Sequence, residues 1–228
     1  MRKIIILRLV YIVILICFAG CMDPSLPVYE KLDTSGSEDG IAIMVEGVKY
    51  QMYPLLKWSV DPDSKKIGYA GNRGVAVTGA VGDTEKNFLF LLDSGSSAFY
   101  SPLYRTDKII PEPSNQSVDE LVYTEYDMSD DEKQTYTNSI KDKEIIKEYF
   151  EVFKSENKVI DFEYLDNFDI SITAFSNEVP GASYYQSLFT NDGKLLIGVY
   201  EDGFVEMPID LLEKIAGHKI DLEALLQD

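Results

Sequence analysis

The chain has 228 residues, of which 45% are hydrophobic and 12% aromatic, a composition typical of a folded, strand-rich protein rather than a disordered one. Its formal net charge is −18, with 39 acidic side chains against 21 basic ones. Such a chain repels nucleic acid and anionic lipid headgroups, so we expect no nucleic-acid partner, whereas the acidity permits a cationic one.

Cysteine and histidine are scarce, which excludes several kinds of site. Cys17 and Cys21 are the only cysteines, so the chain beyond them has no disulfide, no thiolate nucleophile and no cysteine-rich metal site. His218 is the only histidine, which excludes a metal site built from several histidines and a two-histidine mechanism. We therefore expect neither a cofactor nor a bound metal.

Residues 1–20 have the regions of a bacterial export signal. Met1-Arg2-Lys3 is positively charged, and Ile4–Phe18 is almost continuously apolar apart from Arg8. This apolar run is shorter than the roughly 20 residues needed to span hydrocarbon. The pattern predicts a cleaved signal peptide over 1–20.

The residues that end this leader, Phe18-Ala19-Gly20-Cys21, resemble the lipobox of bacterial lipoproteins, in which an apolar residue and two small residues precede a cysteine. The resemblance implies cleavage before Cys21, a diacylglycerol on its thiol, and a new amino terminus at that residue. Two acyl chains are enough for stable anchoring. We therefore expect a lipoprotein that carries palmitate-type acyl chains on the extracytoplasmic face of the cell membrane.

Residues 21–40 contain many proline, serine, aspartate and glycine residues and no sustained apolar period, as in Asp23-Pro24 and Thr34-Ser35-Gly36-Ser37. This composition predicts a flexible, lipidated tether. About 20 such residues have an end-to-end distance on the order of 25 Å, which would hold the folded body clear of the headgroups.

Residues 41–127 are predicted to be a β-rich half. Two pairs of short apolar segments flank glycine-containing turns, at Glu46-Gly47 and at Gly71-Asn72-Arg73-Gly74, and each pair predicts a hairpin. A fully apolar segment, Phe88–Leu92, predicts a buried strand. Between Pro111 and Gln134 the chain becomes polar and acidic, which indicates a boundary or a long surface excursion.

Residues 128–228 are predicted to be an α+β half, which either forms one domain with 41–127 or stands apart from it. Residues 141–154 place apolar side chains on one face at helical spacing. A meander of antiparallel strands follows, and a short helix over 211–216 ends at Gly217. The predicted fold class is therefore α+β, mainly antiparallel hairpins and a meander, with one amphipathic helix and a short C-terminal helix. This layout resembles that of uncharacterised lipoproteins of Gram-positive bacteria, a resemblance that implies no activity.

The most specific catalytic candidate follows the apolar segment Phe88–Leu92. Asp93-Ser94-Gly95 resembles the active-site loop of aspartic peptidases, and Leu195–Gly198 resembles the segment that supports this loop. The resemblance implies that Asp93 is a catalytic carboxylate. Two such aspartates share a proton in that family, so the second would come from another copy of the chain. The alternative is a strand that ends in an ordinary serine and glycine turn.

Three weaker candidates each have a structural alternative. His218 is either a general base or a favourable cation beyond a helix end. The acidic pairs Asp61/Asp63 and Asp130/Asp131 are either calcium ligands or solvated turns, since neither has a complete calcium-binding loop. The third candidate is a group of aromatic residues that either form a binding platform for carbohydrate or peptide or pack in a hydrophobic core. These residues are Trp58, Tyr50, Tyr53 and Tyr69.

The absence of a reactive cysteine or a convincing catalytic pair favours a non-enzymatic binding or envelope-associated module. Its partner would be an envelope protein or a small ligand. An aspartic-type hydrolase using Asp93 is the enzymatic alternative, and a structural spacer or sensor accessory is a third.

Overall fold

A computed structural model describes most of the chain in two compact units. The described residues are 23–32, 41–52, 57–71, 75–93, 102–127, 133–154, 166–191, 193–199 and 203–221. The first unit, the barrel unit, takes its described residues from 1–53, 62–80 and 88–107. The second, the sheet unit, takes them from 54–61, 81–87 and 108–228. Each unit is therefore discontinuous, and the predicted boundary at 127/128 lies within the sheet unit.

The described residues are mainly β, with two helices. Numbered along the chain, the strands are β1 (Val28–Leu32), β2 (Ala42–Val45), β3 (Val48–Met52), β4 (Ser59–Val60), β5 (Pro62–Ala70), β6 (Val75–Ala80), β7 (Phe88–Asp93), β8 (Leu103–Arg105), β9 (Glu120–Asp127), β10 (Lys133–Ile140), β11 (Asp166–Phe175), β12 (Ala182–Asn191), β13 (Lys194–Val199) and β14 (Gly203–Glu206). The helices are α1 (Lys143–Val152) and α2 (Ile209–Ala216).

The barrel unit is a closed barrel with the strand order β1-β2-β3-β8-β7-β6-β5. All neighbouring strands are antiparallel except β1 and β5, which run parallel and close the barrel. Its interior is filled by alternate side chains of the strands, as expected for a small barrel. These buried side chains are Ile43, Val45, Tyr50, Ala70, Val77, Leu89, Leu91 and Leu103.

Both predicted hairpins of the barrel unit are confirmed. β2 and β3 pair across Glu46 and Gly47, whose φ angles of 51° and 85° are the two positive values that a two-residue hairpin turn of type I′ requires. β5 pairs with β6, although the turn residues 72–74 lie outside the described residues. The apolar strand expected at 88–92 is β7.

The structure differs from the expected tether at 21–40, because Val28–Leu32 forms β1. None of its five side chains is fully buried, and Glu30 and Lys31 at its centre are charged and exposed, so no sustained apolar pattern marks it in the sequence. Its backbone is nevertheless hydrogen-bonded on both sides, antiparallel to β2 and parallel to β5. A strand paired on both edges needs few apolar side chains to remain in a sheet. Residues 33–40 lie outside the described residues.

The sheet unit contains an antiparallel sheet with the order β10-β9-β11-β12-β13-β14, and β4 pairs with one end of β12. The last four strands, β11 to β14, pair with their neighbours in chain order, which confirms the predicted meander. β9 lies inside the sheet between β10 and β11. The predicted boundary or surface excursion between Pro111 and Gln134 is therefore wrong over 120–127. There Leu121 and Tyr123 lie on the same face of β9 and are fully buried, with the half-buried Val122 between them.

Both predicted helices are confirmed. The side chain of Asp142 caps α1, because its Oδ1 accepts hydrogen bonds from the amides of Glu144 (2.9 Å) and Ile145 (3.4 Å). α1 buries Ile146, Tyr149 and Phe150. α2 buries Leu211, Leu212, Ile215 and Ala216, and ends at Gly217 in the left-handed conformation with φ 79°.

Candidate functional site

A groove lies between α1 and the start of α2 in the sheet unit. It encloses about 340 Å³, which is within the range of small-ligand sites. Its exposed surface is mostly apolar carbon, while charged groups stand along its edges. It is lined by Glu144, Lys147, Glu148, Glu151, Val152, Pro208, Asp210 and Leu211.

The first wall of the groove is one face of α1. Glu144, Glu148 and Glu151 follow one another at spacings of four and three residues, so the helix places them in a single stripe. The opposite face of α1 is fixed on the sheet by ring contacts. Phe150 stacks on Tyr184 of β12 with ring centroids 6.5 Å apart and an interplanar angle of 20°.

The second wall is the first turn of α2, which begins after Pro208. The far end of this helix is fixed by two side chains of β10. Tyr136 Oη donates to the carbonyl of Ala216 (3.0 Å), and Asn138 Nδ2 donates to the carbonyl of Ile215 (2.9 Å). These bonds satisfy carbonyls that have no partner inside a helix. Both walls of the groove are therefore held by the sheet.

Four carboxylates and one lysine surround the groove, so its rim is acidic. Glu148 accepts a hydrogen bond from Lys214 of α2 (2.7 Å), and this bond raises the pKa of Lys214. Glu151 pairs with Lys154, which follows α1 (2.7 Å). Within the part of the chain that the structure describes, Glu144 and Asp210 form no ion pair. The rim consequently keeps a net negative charge.

His218 lies just beyond α2 and contacts the sheet. Its Nε2 is 3.1 Å from Glu125 Oε1, which also accepts a hydrogen bond from Tyr123 Oη (2.7 Å). The ring of His218 meets the ring of Tyr136 edge to face at 4.7 Å. Burial, and then the bond to Glu125, raise the pKa of Tyr123.

This arrangement makes His218 part of a helix-to-sheet contact. The last carbonyls of α2 are satisfied by Tyr136 and Asn138, so they do not depend on a cation at His218. The imidazole thus has a carboxylate neighbour and lies edge to face against the rings of Tyr123 and Tyr136.

The residues of the aspartic-peptidase resemblance lie in different units. Asp93 is the last residue of β7 in the barrel unit, where it pairs with Val75 of β6. Ser94 and Gly95 lie outside the described residues. Leu195–Gly198 belongs to β13 of the sheet unit.

The acidic pairs show no cation site where the structure describes them. Asp63 Oδ1 accepts a hydrogen bond from the amide of Lys65 (3.0 Å), as in an ordinary turn. The backbone carbonyl of Asp61 accepts one from the amide of Val81 (2.9 Å), beside the Pro62–Ala80 pair of β5 and β6. Asp130 and Asp131 lie outside the described residues. Across the described ranges, no three histidine, cysteine or acidic side chains converge as a metal site would require.

Of the two interpretations of the aromatic set, core filling applies to the three members that the structure describes. Trp58, Tyr50 and Tyr69 are 3%, 2% and 3% exposed, so each fills a core, as the alternative interpretation had it. Trp58 belongs to the sheet unit, whereas the two tyrosines belong to the barrel unit. The indole Nε1 of Trp58 donates to the carbonyl of Pro111 (2.6 Å), and Tyr53 lies outside the described residues.

The groove itself was missed at the sequence level. The acidic stripe of α1 was visible in the spacing of Glu144, Glu148 and Glu151. The second wall lies about 60 residues further along the chain, and no local pattern indicates that the two helices meet.

The export signal and Cys21 lie outside the described residues. Among the residues that are described, no helix has both the length and the apolar character needed to span a membrane. Comparison of the chain with protein-family models, curated proteins and solved structures finds no match.

Proposed function

We propose that the protein is a lipoprotein, anchored through Cys21 to the extracytoplasmic face of the cell membrane, and that its folded body is a non-enzymatic binding module. The support for the anchor is the lipobox-like Phe18-Ala19-Gly20-Cys21 after an apolar leader. The support for binding is the groove between α1 and α2.

The groove suits a cationic, partly apolar segment of an envelope protein. Its apolar surface would bury one or two aliphatic side chains of the partner, while Glu144 and Asp210 on opposite walls attract lysine or arginine beside them. An anionic partner would meet both this rim and the negative charge of the whole chain, −18. The acidic rim over an apolar surface is the observation that carries the proposal.

Binding is tested with a fluorescent heptapeptide of alternating lysine and leucine, titrated with the purified protein and followed by anisotropy. Its glutamate–leucine counterpart reports attraction that is unrelated to charge. We expect the lysine peptide to bind and the glutamate peptide to remain free. Glu144→Lys combined with Asp210→Lys should weaken binding about tenfold. Each exposed charge contributes a few tenths of a kcal/mol to binding, and its reversal replaces that attraction by a repulsion of similar size. Over the two positions the loss of binding free energy is roughly 1.4 kcal/mol, which corresponds to a tenfold change in Kd.

Glu178→Lys is the matched control. Glu178 is an exposed glutamate of the same unit that does not line the groove, so Glu178→Lys changes the net charge by the same two units as the single variant Glu144→Lys. Binding that falls as much in Glu178→Lys as in Glu144→Lys would show that the peptide responds only to overall charge. That result would remove the groove from the proposal.

The anchor is tested separately by mass spectrometry of the amino-terminal peptide and by cell fractionation. The wild-type protein should carry acyl chains on Cys21 and sediment with membranes, and Cys21→Ala should do neither. A wild-type protein that keeps its leader or lacks the acyl mass would contradict the lipoprotein assignment.

An aspartic-type hydrolase remains the competing proposal, because Asp93 ends an apolar strand as the peptidase resemblance requires. It would need a second aspartate from another copy of the chain. Peptide cleavage at mildly acidic pH that Asp93→Asn abolishes would favour it over binding.

A further inference from the structure

The first described residues of the chain are bound to the barrel. The backbone amide of Asp23 donates to Tyr69 Oη of β5 (2.9 Å). Asp23 Oδ1 accepts hydrogen bonds from the amide (2.9 Å) and the hydroxyl (2.6 Å) of Ser25. The amide of Leu26 bonds to the carbonyl of Asp23 (3.2 Å), which completes a compact turn. Asp23 is therefore part of the barrel unit.

β1 continues this attachment along β5. The carbonyl of Pro27 accepts a hydrogen bond from the amide of Tyr69 (2.9 Å), and the carbonyl of Tyr29 accepts one from Gly71 (2.9 Å). The ring of Tyr29 covers Gly68 so closely that a Cβ there would lie 2.2 Å from Cε2 of the ring. Tyr29 Oη also donates to the carbonyl of Ile67 (3.2 Å). An aromatic ring over a strand glycine is a recognised way of fixing strand register.

We propose that the lipid anchor is joined to the barrel without a spacer, so that the end of the barrel unit beside Asp23 rests against lipid headgroups. The inference rests on the proposed lipidation of Cys21. Only Met22 separates that cysteine from Asp23, and two residues of extended chain reach about 7 Å at most. A tether of 20 residues would allow a separation on the order of 25 Å.

The occupant of this surface is a bilayer because, under the proposed function, the mature chain begins beside it with the lipidated Cys21. Strand directions identify the other residues at the same end. β2 runs antiparallel to β1, so the turn at Glu46-Gly47 lies at the end where β1 begins. Asp93 pairs with Val75, which pairs with Ala70 at the end of β5, and Ala70 in turn pairs with Tyr29 of β1. Asp23, the start of β1 and the end of β5 therefore form the part of the barrel unit that we assign to the membrane surface.

The test uses the full-length lipidated protein reconstituted in vesicles whose headgroups carry an acceptor dye. A donor dye is attached through Lys65→Cys, an exposed position of β5 that precedes Tyr69. The barrel has no other cysteine except the acylated Cys21, so labelling is specific. A second form carries 15 additional glycine and serine residues between Met22 and Asp23, which add a separation of about 20 Å.

We expect strong energy transfer in the native form and loss of most of it in the insertion form. Gly68→Val should lower the efficiency of energy transfer from that of the native form towards that of the insertion form, because the valine side chain displaces Tyr29 and releases β1. Tyr69→Phe is the milder variant in case Gly68→Val unfolds the barrel. It removes the oxygen that accepts the Asp23 amide, so amide exchange at Asp23 should accelerate while the amides of β6 and β7 remain protected.

The two proposals fail differently. If the native protein lacks acyl chains on Cys21 by mass spectrometry, the lipoprotein assignment and this inference both fall. If the acyl chains are present and the native and insertion forms show equal energy transfer, the anchor is a flexible tether, and only the direct attachment is overturned. An Asp23 amide that exchanges equally fast in wild type and Tyr69→Phe overturns it as well.

Discussion

Gly181→Ala tests a close approach between two backbone segments of the sheet unit. Gly181 precedes β12 with φ +80°, a conformation that costs an alanine about 1–2 kcal/mol. A Cβ at this position would also lie 2.5 Å from the carbonyl oxygen of Val81 and 2.6 Å from the amide nitrogen of Asp83. Both atoms belong to backbone, so a whole segment has to move, which adds on the order of 1–3 kcal/mol. We expect a total destabilisation of about 2–5 kcal/mol.

Gly193→Ala is the matched control for this substitution. Gly193 has nearly the same φ, +73°, in the same unit, but no atom lies within 4 Å of the position of its Cβ. The control should lose only the conformational term of about 1–2 kcal/mol. The difference between the two variants measures the cost of the close approach.

The assay is urea unfolding followed by tryptophan fluorescence. Trp58 is the only tryptophan of the chain and is buried in the sheet unit, so the signal reports that unit. Equal losses of unfolding free energy in Gly181→Ala and Gly193→Ala would refute the reasoning. They would mean that the backbone of residues 81–83 is not held against β12 in solution.

Three further predictions concern carboxylates. The hydrogen bond from the Asn177 amide, and then the one from Lys143, lower the pKa of Asp119, so its stabilising contribution is complete above about pH 4 and fades as the pH falls through the lowered value. Asp119→Asn should therefore flatten the dependence of the urea midpoint on pH between pH 5 and pH 2, as measured by the fluorescence of Trp58. Asp142→Ala removes the cap of α1 and should lower the free energy of unfolding by about 1 kcal/mol in the same assay. It should also weaken binding of the lysine–leucine peptide, because α1 forms one wall of the groove. Asp93→Asn should leave peptide hydrolysis at pH 4–5 unchanged at the background rate, and a wild-type activity that it removes would contradict the binding assignment.

Elements that depend on neighbouring residues could be predicted from the sequence. The hairpin at Glu46-Gly47 needs two positive φ angles, and α2 ends where Gly217 supplies one. Both requirements are met by one or two residues, so they are visible in the sequence. α1 could likewise be predicted, because the apolar residues of its buried face follow one another at helical spacing within three turns.

Elements that depend on distant partners could not be predicted in the same way. β1 joins the barrel by parallel pairing with β5, about 40 residues away, and little in its own composition distinguishes it from a linker. β9 was hidden because prolines and acidic residues flank the short alternation of Leu121 and Tyr123. The barrel closure and the interior strand β9 of the sheet unit are both decided by pairing between segments.

Helix stability alone explains part of the acidic rim of the groove. Glu144 and Asp210 lie in the first turns of α1 and α2, where a negative charge is favourable to the helix dipole. Glu151 lies in the last turn of α1, where the dipole favours a cation, and that turn contains no basic residue. A substitution by lysine there would suit an isolated helix better by a few tenths of a kcal/mol. Its ion pair with Lys154 only offsets this cost, since exposed pairs contribute little. The net effect of Glu151 on the folding of α1 is therefore close to zero, and binding of the proposed cationic segment would be what favours a carboxylate at this position.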